Sequence, residues 1–559
     1  FQAEDGIRDR SPSRGLGDVY KRQVEYNIQD VELVDRLEDK MKLIELCLTM
    51  AYDYKVNYND VYSQVRCWDT IIYNHLLTKN IIIPPREDQI KDTQYEGAYV
   101  KDPQLGLHNW IVSFDLNSLY PHLIMQYNIS PEMFVGVEPK AVGVENFLEE
   151  KLNLKWAKDR NVTIAPNGAM FKRDKQGFLP ELMEKMYTER VVYKKKAIEA
   201  KIEYQKTKDP IYSNEISRCH NIQMAKKISL NSAYGAIGNQ YFRYFDVKQA
   251  EAITLGGQLS IRWVERDVNR FMNKLLGTDN KNYVVASDTD SIYLKLDTLV
   301  EKVCKDKSTK QIVDFLNKAA EEKIQKVIDD SYQNLANYVN AYQQKMIMKR
   351  EAIANKGIWV AKKRYMMNVF DEEGVRYDIP KLKIMGVEAV KSSTPEVCRG
   401  KIKDAIRVIM NDSEDALIKF VNDFKEVFKE LSPEEVAFPR SCNNVNKYID
   451  SNSIYKKGTP IHVKGALIYN HHINKHRLGM KYPLIKDGDK IKFLMLKQPN
   501  TVKDTVISFS TKIPYEFELH KYVDYDTQFE KTFTDPLRFI LDSIGWKLER
   551  EATLEAFFG

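Results

Sequence analysis

Two short apolar runs constrain this chain most: Tyr283-Val284-Val285 and Ile292-Tyr293-Leu294, which flank Asp288-Thr289-Asp290-Ser291. β-Branched and aromatic residues on either side of a short polar break predict a hairpin with acids at its tip. A third run, Val112-Ser113-Phe114, leads directly into Asp115. Carboxylates crowded at strand ends repel one another unless a divalent cation lies between them, and an all-oxygen donor set selects Mg²⁺ or Mn²⁺ over zinc. Asp115 and Asp290 are the expected bridging ligands. The Leu116 backbone carbonyl completes one shell, and Asp288 is a second-rank ligand that tunes the site. Most isolated D-x-D triplets are surface turns. The acidic-site reading gains weight because Asp115 stands upstream in a pattern of its own, Asp115-Leu116-Asn117-Ser118-Leu119-Tyr120-Pro121.

Between these acids lies a basic block, Lys227 with Asn231-Ser232-Ala233-Tyr234-Gly235. On a helix Lys227, Asn231 and Tyr234 fall at i, i+4 and i+7 and share one face. Arg190 and Lys194 are likewise four apart in a helical stretch beginning near Pro180. Two helices therefore offer cations suited to phosphate, Arg as a bidentate fork and Lys as a point charge. Lys195 and Lys196 read as an ordinary solvated face.

The three blocks, in this order, resemble motifs A, B and C of family B DNA polymerases. The resemblance implies an α+β right-hand fold, with a palm built on an antiparallel sheet, helical fingers and a thumb. It implies two Mg²⁺ ions, or Mn²⁺, held by Asp115, Leu116 and Asp290, with Asp288 as a further catalytic acid. Ser118, Leu119, Tyr120, Arg190, Lys194, Lys227 and Asn231 become the nucleotide-binding set, supported by Tyr234. Tyr120 becomes the ring that leaves no room for a 2′-hydroxyl, where overlap rejects more steeply than a loose pocket could.

Further segments extend the likeness. Lys362-Lys363-Arg364-Tyr365 resembles the K-K-R-Y element that grips primer–template DNA, a composition suited to backbone contact, with Asp371 on the strand leaving it. Lys349-Arg350-Glu351 resembles the segment that brings an accessory acid, Glu351, near the metals. Tyr95-Glu96-Gly97-Ala98 resembles a loop at the template. Asn443-Asn444-Val445-Asn446-Lys447-Tyr448 and Pro380-Lys381-Leu382-Lys383-Ile384-Met385-Gly386 resemble T-even-type phage replicative polymerases in particular. The likeness runs from about residue 24 to 559. One departure stands out: Ala286-Ser287 occupies the place of the usual Tyr-Gly before motif C, which predicts a weaker grip on the primer terminus without loss of catalysis.

Composition agrees with this reading. A chain of 559 residues exceeds a single core. With 85 basic and 79 acidic residues the net charge is only +6, so affinity for DNA has to come from local patches. Six scattered cysteines without a C-x-x-C argue for a reducing compartment and against zinc or iron–sulfur modules. No apolar stretch approaches the ~18 residues of a membrane span. A soluble, monomeric, virus-encoded polymerase subunit in the host cytoplasm is the expectation, with primer–template DNA, dNTPs and a sliding clamp as partners.

Residues 1–23 resemble a non-native adapter-like scar and are set aside. Tyr26-Asn27-Ile28-Gln29-Asp30 is similar to the last proofreading-exonuclease motif, which makes Asp30 a metal ligand of an exonuclease remnant. The motifs that should precede it have no room, so the chain reads as N-terminally truncated and its exonuclease as incomplete. The expected organisation is a remnant of the exonuclease and N-terminal region at 24–86, palm at 87–178 and 240–394, fingers at 179–239 and thumb at 395–559. At the carboxyl end Leu554, Phe557 and Phe558 form an apolar peptide suited to a partner's pocket, which the resemblance names as the clamp. Two rivals are weighed. A protein-primed family B enzyme would need insertions between Asp115 and Asp288, an interval the fingers largely fill, and a DNA-binding remnant would lack activity. Reverse transcriptase is disfavoured by D-T-D-S in place of a D-D pair.

Overall fold

The computed structural model describes residues 11–450 and 453–548. It is a mixed helix and sheet architecture in two compact units. One contains the segment ending at Ala98, then Leu116–Trp263 and Asp330–Ile347; the other contains Tyr99–Asp115, Val264–Asp329 and the segment from Met348 onward. No helix among the described residues is long and apolar enough to cross a membrane.

The first unit is mainly helical. Its N-terminal helices are α1 (Ser11–Met41), α2 (Leu43–Tyr54) and α3 (Gln64–Leu77). Helix α1 begins at Ser11, so part of the segment set aside as a scar is helical. The short α4 (Leu119–Tyr127) is almost wholly buried. The dominant feature is a hairpin of two long helices, α5 (Phe178–Thr207) and α6 (Pro210–Ile237). Its turn is encoded locally. Lys208 in the left-handed region ends α5, while the Asp209 carboxylate caps the Ile211 amide and Pro210 opens α6. Such an N-cap is worth about 1 kcal/mol, and proline at the first helical position loses no hydrogen bond. Helix α7 (Val247–Leu276) follows, with its residues up to Trp263 in this unit. A three-stranded sheet of Phe134–Val137, Ala169–Lys172 and Val162–Ile164 completes this unit.

The second unit is organised around six strands: β1 (Gly106–Leu116), β2 (Val284–Asp288), β3 (Ser291–Lys295), β4 (Met348–Ala361), β5 (Arg364–Glu372) and β6 (Val375–Met385). Their spatial order is β2-β3-β1-β4-β5-β6. The pairs β2–β3, β1–β3, β4–β5 and β5–β6 are antiparallel. Ile111, Val285, Tyr293, Trp359, Tyr365 and Val369 form one buried cluster on this sheet, each contributing about 1.5–3 kcal/mol when fully removed from water.

The same unit continues into helices α8 (Glu396–Asn411) and α9 (Glu414–Lys429), the latter capped by the Ser413 hydroxyl. A three-stranded sheet of Phe438–Ser441, Lys490–Met495 and Val506–Phe509 and helix α10 (Ile461–Lys475) follow. Phe424 of α9 packs against Phe428, Phe529 and Phe533, with ring centroids 5.9, 5.7 and 4.8 Å away. These edge-to-face and tilted ring contacts fix one arrangement of the helices beyond what area burial alone would do.

Candidate active site

The acids converge because of strand register. Asp115, near the end of β1, stands opposite Ser291 of β3, and Asp288 at the end of β2 pairs with the same residue. The two-residue turn between β2 and β3 places Thr289 in the left-handed region, at φ 59°. It swings Asp290 round so that its amide donates to the Asp288 carbonyl at 2.6 Å.

Three acids in this space have unequal surroundings. Lys363 Nζ lies 2.9 Å from Asp288 Oδ1, and the Thr289 hydroxyl donates to the same oxygen at 3.0 Å. Asp115 and Asp290 have no salt-bridge partner among the described residues. Burial first, then the charges of Asp290 and Glu351, push the Asp115 carboxyl up to about 7 against the opposing pull of Lys383. Burial likewise raises Asp290 to about 6; its own amide opposes this, and Asp288 and Glu351 add to it. A pair of half-buried carboxyls that resist ionising together is what a hard divalent cation relieves. Among the described residues no group of three or more His, Cys, Asp and Glu side chains could hold a metal ion. The all-oxygen donor set of Asp115 and Asp290 is of the chemistry that suits a hard divalent cation.

The surrounding shell differs in part from the sequence expectation. Glu351 on β4 accepts a hydrogen bond from Ser113 Oγ at 3.0 Å and pairs with Lys383 Nζ at 2.7 Å. Asp371 is fully buried, accepts a hydrogen bond from Arg350 and forms an ion pair with Arg376 Nε at 2.7 Å, and so braces β4, β5 and β6. Lys362 and Lys363 form the exposed turn between β4 and β5, with Lys362 3.0 Å from Asp102 and Arg364 over the Phe539 ring. Tyr365 does not present its ring beside those cations. It is 7 % exposed, stacks on Trp359 and bonds the Tyr293 hydroxyl at 2.8 Å. Its position on β5 turns it inward, where strand alternation takes every second residue. Gly386 brings the end of β6 against the 362–363 turn: at φ +68°, an added Cβ would lie 2.2 Å from the Lys363 carbonyl oxygen.

In the first unit the basic set is carried by the α5–α6 hairpin. Lys194, Lys227 and Asn231 are exposed. Arg190 is half-buried; its Nη1 donates to Ser118 Oγ at 3.2 Å, its Nε has no partner, and burial lowers its pKa. Ser118 sits at φ 48° just before α4. The Tyr120 ring packs 4.7 Å from that of Tyr234, whose hydroxyl lies 3.3 Å from the Tyr95 hydroxyl. Gly257 of α7 leaves space beneath this pair: an added Cβ would come within 3.4 Å of Leu119 and 3.5 Å of Tyr120. The residue after Tyr95 and Glu96 is tied down too, since Gln258 donates to the Gly97 carbonyl at 2.7 Å.

A model of DNA polymerase family B matches residues 61–544. The chain belongs to DNA polymerase family B. It is 31% identical over 595 residues to the DNA-directed DNA polymerase of Enterobacteria phage T4, covering 97% of this chain and 65% of that protein. Against the enzyme of Escherichia phage RB69 the figures are 33%, 96% and 65%. DNA polymerase 1 of Pyrococcus abyssi (strain GE5 / Orsay) is 28% identical over 81% of this chain and 48% of its own length. The family B chain thus spans about two-thirds of the length of its phage relatives.

This family B member carries Ala286 and Ser287 deep in β2, Ala286 within the cluster around Tyr293, Trp359 and Tyr365, and Ser287 1 % exposed with an unpartnered hydroxyl. Asp30 lies on α1 with an exposed side chain. Leu554, Phe557 and Phe558 lie outside the described residues. Sequence reasoning missed Ser113 and Lys383 as partners of Glu351, and Lys363 as the partner of Asp288. Ser113 was within reach of it, standing two residues before Asp115 and hence on the same face of the strand.

Proposed function

We propose that this chain is a template-directed DNA polymerase that joins a primer 3′-hydroxyl to the α-phosphorus of a deoxynucleoside triphosphate and releases pyrophosphate. The observation that carries the reading is the unequal trio of acids brought together by strand register: Asp288 paired with Lys363, and Asp115 and Asp290 half-buried with raised pKa values. Two Mg²⁺ ions, when bound, would supply activation of the 3′-hydroxyl and neutralisation of the triphosphate charge. Asp115 and Asp290 would hold them, with the Leu116 carbonyl as a further oxygen and Glu351 as an accessory acid. Arg190, Lys194, Lys227 and Asn231 would bind the triphosphate, so that positioning and fixed charge supply most of the rate. Tyr120, backed by Tyr234, would exclude a 2′-hydroxyl. Lys362, Lys363 and Arg364 would contact the phosphates of the primer–template duplex.

In this reading the six-stranded sheet is the core of the palm, the α5–α6 hairpin the fingers, and 395–559 the thumb. Asp30 would be a metal ligand of the exonuclease motif that its segment resembles, and the tail with Leu554, Phe557 and Phe558 would be an anchor for a sliding clamp. A virus-encoded enzyme acting in the host cytoplasm as a single polymerase subunit fits the phage relatives. The test is extension of a labelled primer on a DNA template by the purified chain with Mg²⁺. Single-nucleotide additions that follow the template are expected; additions indifferent to the template, or none, would reject the reading.

A further inference from the structure

Helix α6 has two working faces. At about 100° per residue, Lys227, Asn231 and Tyr234 lie on one side, and Asn221, Ala225, Ser229 and Ser232 on another roughly 150° round. The second stripe is held by side chains of α2 and α3. Asn221 Nδ2 donates to Glu45 at 3.0 Å, the Tyr54 hydroxyl donates to the Ala225 carbonyl at 2.8 Å and bonds Ser229, and Trp68 Nε1 donates to Ser232 Oγ at 3.1 Å.

Lys226 sits between these faces. It is 7 % exposed, and its Nζ lies 2.8 Å from Asp53 Oδ1 of α2 and 2.5 Å from Glu189 Oε2 of α5. Burial works to lower its pKa, and the bonds to Asp53 and Glu189 more than offset this, so the ammonium stays charged. The two residues joined across the hairpin are the immediate chain neighbours of Arg190 and Lys227. A shift or rotation of either helix about this link moves those cations directly.

We infer that the Asp53–Lys226–Glu189 cluster is a positioning device for the nucleotide-binding cations, fixing α5 and α6 against α2 so that Arg190 and Lys227 hold one geometry. This rests on the reading of Arg190 and Lys227 as triphosphate ligands. Lys226 touches no reacting atom in this account. Removing its charge leaves two carboxylates facing each other in a partly buried space, which drives the helices apart.

The experiment measures the dissociation constant of the next correct dNTP from a complex of the purified chain with a primer–template whose primer ends in a dideoxynucleotide, read by 2-aminopurine fluorescence in the template. Lys226→Met and Glu189→Gln should weaken dNTP binding roughly tenfold or more, since a small misplacement of binding groups is costly, with primer–template affinity within about twofold of the parent. Lys226→Arg, which keeps both ion pairs, should restore most of the dNTP affinity. Arg190→Ala and Lys227→Ala serve as controls. If they weaken dNTP binding while Lys226→Met and Glu189→Gln do not, the positioning role is wrong and the clamp reading stands. If neither control weakens it, the clamp reading falls and the inference with it. Equal losses of dNTP and DNA affinity, unrescued by Lys226→Arg, would overturn the inference in favour of a general folding role. Should Lys226→Met not fold, the Asp53→Asn/Glu189→Gln double variant decides on the same criteria.

Discussion

Asp115 and Asp290 pay for their proximity in stability. A carboxyl whose pKa is raised in the fold contributes most when protonated, below the unfolded value near 3.8, and loses that contribution as pH rises through about 7 for Asp115 and about 6 for Asp290. At neutral pH and without Mg²⁺ the pair is a source of repulsion. Asp115→Asn should therefore raise the melting temperature by about 2 °C, measured by differential scanning fluorimetry in EDTA; a fall would mean that Asp115 makes net favourable contacts. Tyr120 makes a second prediction. Tyr120→Ala should admit ribonucleotides, narrowing discrimination by about 100-fold or more with little change in dNTP use, as read from competing kcat/KM values. An unchanged sugar preference would make Tyr120 a packing residue for Tyr234. Both acids and the tyrosine were legible because they stand in short patterns next to strand and helix signals. The Lys363–Asp288 and Lys383–Glu351 pairs were not, because each joins residues far apart in sequence through strand pairing that no local pattern encodes. The inward facing of Tyr365 was not legible either, because it is decided by the register of β5 and not by the cations that precede it.

At the scale of elements, the turn between α5 and α6 is written locally, since Pro210 after Asp209 is a strong helix start. The six-stranded order was not foreseeable. β1 is inserted between β3 and β4, and a strand's neighbours depend on long-range closure rather than on its own residues. Helix α10 yields a pH prediction. His472 is 7 % exposed and packs on Phe517 and His476. Burial first, then the neighbouring His471, Lys475 and His476, bring its pKa down to about 4 from 6.5. Because the folded value is depressed, the neutral ring's contribution is fully present above pH 6.5 and is lost as pH falls toward 4. Thermal unfolding should accordingly show a decline across that window that is shallower in His472→Leu. Parallel pH profiles for parent and variant would show that His472 is not a source of the acid sensitivity.

For the whole molecule, membership in DNA polymerase family B and the mixed helix and sheet architecture fit a chain whose candidate site residues are spread over distant segments: acids at 115, 288 and 290, cations at 190, 194 and 227, and a basic turn at 362–364. The sequence made the family legible because each segment keeps its local pattern and its order. The division into two compact units was not legible, since each unit is assembled from three separate stretches of chain. The central claim is that Asp115 and Asp290 perform the chemistry while other residues hold the DNA. Its most direct test compares primer extension and primer–template affinity for the parent, Asp115→Ala and Asp290→Ala. The account predicts that both variants lose extension by about 1,000-fold or more while binding primer–template within about threefold of the parent. Extension by either variant within about tenfold of the parent would contradict it.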